Sequence, residues 1–153
     1  MRNKFYKILF FASEGLYRRY FKRKKRAWNI TKSDLSVFKD DQLGHAYYSF
    51  LLDNELDILP KFERHDIMHV LTSTNTEVKN EVALQYYLLG NGKLSVYQIF
   101  VLISSIGFIN KLPLFIRSYR KGRLALPFHH LSYENMLHIN TNDLIDQYNI
   151  QEL

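Results

Sequence analysis

Three prolines and six glycines are all that punctuate the apolar periodicity of this 153-residue chain, and no stretch alternates apolar with polar residues long enough to make a strand. Helices are what remain. Gly44–Asp53 has no breaker after its glycine and is apolar or aromatic at 46, 47, 48, 50, 51 and 52. Pro60 sits where a first-turn proline is tolerated, and Phe62–Leu71 follows without interruption. After the polar connector Thr72–Thr76, a helix over Glu77–Leu89 carries Val78, Val82, Leu84 and Leu88, and Gly90 or Gly92 can end it. Ser95–Ile109 is the most apolar segment and reads as a buried core helix ending before Pro113. Leu114–Lys121 continues it in basic form until Gly122, and Pro127–Leu131 is a loop. Short helices are expected around Met136–Leu137, opened by Ser132, and over Thr141–Tyr148. The expectation is an all-α fold: a single compact multi-helix domain over residues 31–153, preceded by a basic amphipathic segment over residues 1–30.

Charge supports that division. Residues 1–30 hold ten Lys and Arg against Glu14, whereas residues 31–153 hold eleven against fourteen Asp and Glu. Basicity therefore belongs to an N-terminal arm, densest over Arg18, Arg19 and residues 22–26. Aromatic and apolar residues from Phe5 to Trp28 are interleaved with it, the composition of an amphipathic helix lying on an anionic membrane surface. In the alternative, Phe5–Phe11 pack on the core and the basic run is solvated. No helix-turn-helix, RNA-recognition or zinc-finger signature accompanies the charge, so nucleic acid is not expected as a partner. The arm lacks the form of a secretory signal, because its basic run follows the short apolar stretch Ile8–Ala12. Leu94–Asn110 is uncharged but interrupted by Gln98, Ser104, Ser105 and Gly107, and falls short of a spanning helix. A cytoplasmic protein held peripherally at a membrane is expected.

There is no cysteine, which excludes disulfides, Cys-ligated metal and a thiol nucleophile. Chemistry is left to other side chains, and one group of them is concentrated: His65-Asp66-Ile67-Met68-His69. On a helix the two histidines are one turn and about 40° apart, with Asp66 inside an arc of roughly 100°. The five-residue connector lets the next helix return antiparallel, bringing Glu81, one turn into it, toward the same face. Two imidazoles and two carboxylates suit zinc or another divalent first-row ion. Such an ion would also neutralise two carboxylates that otherwise repel each other. The same residues could equally be surface ion pairs of small energetic weight.

Several ordered motifs resemble the Coq4 family of coenzyme Q (ubiquinone) biosynthesis proteins. His65-Asp66-x-x-His69, eleven residues, then Glu81 is similar to that family's metal motif. Leu43-Gly44-His45-Ala46-Tyr47, His69-Val70-Leu71-Thr72, Glu81-Val82-Ala83-Leu84, Tyr119-Arg120-Lys121-Gly122-Arg123 and the stretch from Tyr133-Glu134 to Ile150 resemble its flanks. The likeness spans residues 43–150 and leaves the basic arm outside. It implies an all-helical fold and zinc, with Fe(II) as the other candidate, held by His65, Asp66, His69 and Glu81. It also implies a prenylated quinone precursor or other isoprenoid lipid as ligand, with other biosynthetic proteins and a second copy of the chain as further partners. The chain departs from the family at Ser73-Thr74, where a glycine is usual, at Tyr133 for Trp and at Gln147 for Arg; all three lie outside the metal set.

The resemblance implies either catalysis of oxidative decarboxylation at ring carbon 1 or a lipid-binding scaffold of a biosynthetic complex. Zinc has no redox chemistry, so the first needs an external oxidant or iron. Geometry separates the two, since a closed tetrahedral site is structural and a reactive one keeps an exchangeable position. A third reading, an HD-type metal phosphohydrolase, would use His45, His65-Asp66 and Asp143, but leaves His69 and Glu81 without roles. His129-His130 and His138 read as loop or surface residues, and Arg117, Arg120, Lys121 and Arg123 as a solvated face or a headgroup contact.

Overall fold

The structure, a computed structural model, describes residues 26–153, so the amphipathic helix expected within residues 1–30 lies almost wholly outside the described residues. The helices are α1 (Lys32–Leu35), α2 (Leu43–Asp53), α3 (Glu63–Leu71), α4 (Val78–Gly90), α5 (Val96–Ser104), α6 (Leu112–Leu124) and α7 (Thr141–Gln147). Two 3₁₀ segments join them, Ser105–Lys111 and Tyr133–Met136. Among the described residues the only extended pairing is an isolated antiparallel bridge between Gln42 and Asn140. The all-α expectation is met.

The axis of the fold is α4, which presents no solvent stripe through its middle: Glu81 to Gln85, Tyr87 and Leu88 are all buried. On one side Leu84, Tyr87 and Leu88 enter the main core with Leu43 and Tyr47 of α2 and Ile67 of α3. On the other, Val82 and Ala83 meet Val101 of α5 and Phe115 of α6. The crossing of α4 with α6 is backbone against backbone. A Cβ on Gly122 would stand 1.9 Å from the Tyr87 carbonyl oxygen, and one on Gly90 would stand 2.1 Å from that of Tyr119. Gly122 therefore does not stop the helix as expected; α6 continues to Leu124 because the glycine lets two helices touch.

The segment after α4 departs from expectation in two ways. The helix expected over Ser95–Ile109 ends at Ser104, and the 3₁₀ segment beyond it carries Phe108 at φ −117°, ψ 36°, outside helical geometry. Pro113 then opens α6 at the position where its missing N–H costs nothing. Nor is α5 a buried core helix: Val101 and Gln98 face inward, while Val96, Ile99, Phe100 and Ile103 are exposed. A helix at the periphery buries a single stripe, and an all-round apolar sequence conceals which stripe that is. No single helix among the described residues is long and apolar enough to cross a membrane; Val96–Ile103 with Ser105–Leu124 passes only as a pair bent by 56°.

The C-terminal third braces the helices that carry the polar cluster. Carbonyls of Ile139 and Leu137 accept from the N–H groups of Leu43 and Gly44, filling donors at the start of α2 that no side chain caps. Past α7, Leu153 donates its N–H to the Thr72 carbonyl at 3.0 Å, just beyond α3.

Candidate metal centre

The turn after α3 sets the site. Thr72 Oγ1 bonds back to the Met68 carbonyl at 2.7 Å and meets Thr74 Oγ1 at 2.6 Å, and Ser73 takes φ 51°. This folds the connector tightly and aims the Thr74 carbonyl at His69 Nδ1, 3.0 Å away. A carbonyl only accepts, so Nδ1 carries the proton and the other ring nitrogen, Nε2, is the one left for a ligand. Phe50 stacks on the His69 ring at 5.6 Å between centroids, fixing its plane from the α2 side.

His69 Nε2 faces two other polar atoms at short range. Glu81 Oε1 lies 2.9 Å away and His65 Nε2 3.2 Å away, and His65 Nε2 is itself 3.2 Å from Glu81 Oε2. Possible ligand atoms of His65, His69 and Glu81 all fall within 4.8 Å of one another, the one such group among the described residues. His69 is 1 % exposed and Glu81 is buried, whereas the His65 side chain is 24 % exposed. Lone pairs converging from two imidazoles and a carboxylate repel unless positive charge sits among them. In the protein alone a proton supplies it. Burial pushes His69 down, but the hydrogen bond and charge of Glu81 more than reverse this, so its pKa is raised. Burial likewise lowers His65, with Glu81 opposing it only in part. Burial also works to raise Glu81, yet the two rings hold its carboxyl well below the usual range. The donor set fits a divalent first-row cation, which takes neutral imidazole and ionised carboxylate.

Three of the four residues expected from the sequence thus come together. Asp66, the fourth, is outside this convergent group: its Oδ2 accepts the Tyr47 hydroxyl at 2.9 Å. Tyr47 is fully buried on α2, and burial together with the Asp66 charge raises its phenol far above the ordinary range, so it stays a donor. The residues of the phosphohydrolase reading do not assemble. His45 turns to Asp40, at 3.5 Å, and Asp143 is exposed in the first turn of α7.

A pocket of about 240 Å³ opens beside the cluster, with His65 and Met68 of α3 and Gln85 of α4 in its wall. His129 and His130, read from the sequence as loop or surface residues, also line it. Buried Asn91 places them: its Nδ2 donates to the Leu126 carbonyl at 2.9 Å, and its Oδ1 accepts from the N–H groups of Phe128 and His129 at 3.0 and 3.3 Å. Sequence reasoning also passed over Gln85; its spacing of four from Glu81, one turn along the same face, was the available signal.

The chain matches no protein-family model and no curated protein sequence. Its structure is similar to the crystal structure of a "Putative ubiquinone biosynthesis protein" from Nostoc punctiforme PCC 73102, with a TM-score of 0.63 and 18% identity over 90% of this chain and 79% of that one. At that identity the likeness establishes a shared helical fold.

Proposed function

We propose that this chain is a metal-binding protein of quinone biosynthesis, of the Coq4 type, that receives the head group of a polyprenylated aromatic precursor beside the ion. The observation that carries the reading is the adjacency of the two sites: His65 belongs both to the convergent ligand group and to the wall of the pocket. The shared fold with the Nostoc protein and the ordered motifs over residues 43–150 support the pathway. In this reading His65, His69 and Glu81 hold zinc or iron, and Asp66, oriented by Tyr47, completes the set. A bound divalent ion would supply Lewis-acid polarisation of a ligand oxygen. The chain's own residues do the rest: Thr74 fixes the His69 tautomer, Phe50 its plane, and the partly exposed His65 leaves the site open to a ligand. That access favours a ligand-handling site over a closed structural one, and with it a role in oxidative decarboxylation at ring carbon 1, with an external oxidant such as oxygen or a partner flavin accepting the electrons, over a pure scaffold.

A pocket of this volume admits a ring and its substituents but no long isoprenoid. At its lip stands Leu94, 75% exposed, and beyond it the exposed Val96, Ile99, Phe100 and Ile103 of α5 offer the apolar track for a tail. The same face, together with the basic arm of residues 1–30, is read as resting on an anionic lipid surface. The test is equilibrium binding of a prenylated 4-hydroxybenzoate to the metal-loaded full chain. Binding should weaken when the metal is chelated and should exceed that of the corresponding isoprenoid alcohol. Equal, metal-independent binding of acid and alcohol would contradict the reading.

A further inference from the structure

The loop after α6 carries a histidine whose ring is oriented by a buried residue at the end of α4. Asn91 donates from Nδ2 to the Leu126 carbonyl and accepts at Oδ1 from the N–H groups of Phe128 and His129, which fixes the sense of its amide. The same residue then holds the His129 ring. Its backbone carbonyl lies 3.1 Å and its Oδ1 3.3 Å from His129 Nδ1. Both are acceptors, so Nδ1 carries the proton and the lone pair of the neutral ring is on Nε2. His129 is half-buried in the wall of the pocket that His65 also lines, and the His130 ring packs edge to face against it at 5.4 Å.

An imidazole held through one nitrogen, with an unprotonated nitrogen to spare, has the arrangement of a proton acceptor: the orienting group fixes the tautomer and leaves the lone pair for a ligand. The charges that reach this ring are positive and belong to His130, Lys93 and Arg64, and no Asp or Glu lines the pocket. Burial first, and then those three groups, hold the His129 pKa below its ordinary value, with the Asn91 hydrogen bond opposing them in part. The ring is therefore neutral near pH 7 and able to accept. The same cations stabilise the oxyanion left when a ligand O–H gives up its proton.

We propose that His129 is the proton-transfer residue of this pocket, its Nε2 taking the proton of an acidic O–H on the ligand's head group and later returning it. The proposal rests on the reading above that the pocket receives that head group. In the step the O–H bond breaks, its electron pair stays on oxygen, and an N–H bond forms at Nε2 to give an imidazolium. Nδ1 keeps its own proton against the Asn91 carbonyl, which stabilises the new positive charge. No oxidant or co-reactant takes part.

The probe is 4-nitrophenol, whose anion absorbs visible light and whose neutral form does not, bound to the full metal-loaded chain and to its His129→Gln variant. Glutamine can donate to Asn91 but cannot take a proton. At a pH where the free phenol is mostly neutral, the natural chain should hold more of the bound probe as anion. His129→Gln should lower the ratio of anion to phenol about tenfold while leaving metal content unchanged. An oxyanion held by the metal persists in the variant, so the difference isolates His129. Nitrogen NMR of the natural chain without ligand needs no variant to fold, and near neutral pH should show His129 protonated at Nδ1 and bare at Nε2. An anion share unchanged in His129→Gln, or a proton on Nε2 in place of Nδ1, would overturn the role of His129. Failure of the natural chain to bind the phenol at all would instead overturn the head-group reading beneath it.

Discussion

What His69 can do is decided by one carbonyl. Because Thr74 O claims Nδ1, the lone pair of Nε2 is turned toward Glu81 and His65, and a tautomer that would ignore a cation is excluded. Asp66 has a comparable partner in Tyr47, whose hydroxyl restrains one carboxylate oxygen. If Asp66 completes the ligand set, Tyr47→Phe keeps the buried ring but releases the carboxylate, and metal affinity should fall by about 10-fold or more. Competition with a chromophoric chelator measures this directly. Unchanged affinity would remove Asp66 from the set and leave three protein ligands.

At the scale of elements, the site depends on α3 and α4 keeping His65, His69 and Glu81 together, and α4 is held by its glycine crossing with α6. Gly122→Ala would drive a methyl into the Tyr87 carbonyl and should cost about 1–3 kcal/mol in denaturant unfolding. A loss below a few tenths would mean that the helices do not touch there. This crossing also shows where sequence reading succeeds and where it stops. The histidine helix and the approach of Glu81 to it were legible because i,i+4 histidines followed by a five-residue polar connector admit few arrangements. Gly122 was not, since a glycine that ends a helix and one that lets two helices touch look alike until the partner is known. The course of α5 was misread for a related reason. Uniform apolarity says that a helix avoids water but not whether protein or something else covers it, and Phe108 leaves helical geometry without any Pro or Gly at its own position.

For the molecule as a whole, α5 and the 3₁₀ segment after it form an apolar face: Ile103, Ile106 and Ile109 are 60, 74 and 73 % exposed. Exposed Arg117, Arg120 and Arg123 follow it in the chain, on α6. Trp28 ties the end of the basic arm to the helical body, its backbone N–H donating to Oε1 of buried Glu63 at 3.1 Å. Removal of residues 1–25 therefore leaves this anchor in place and tests the arm alone. If both surfaces meet lipid, the truncation and the double change Ile103→Glu, Ile106→Glu should each reduce sedimentation with anionic vesicles, and the combination should nearly abolish it. Vesicle binding that survives the combined variant would place neither surface at the membrane.

The proposed function depends on an ion among His65, His69 and Glu81, and elemental mass spectrometry of the untagged full chain, purified without added metal or chelator, tests that first. About one zinc or iron per chain is predicted, lost in both His69→Ala and Glu81→Ala while the helical circular dichroism signal persists. Metal at background level in the natural chain, or retained in both variants, would contradict the account and leave the cluster a buried hydrogen-bonded ion network.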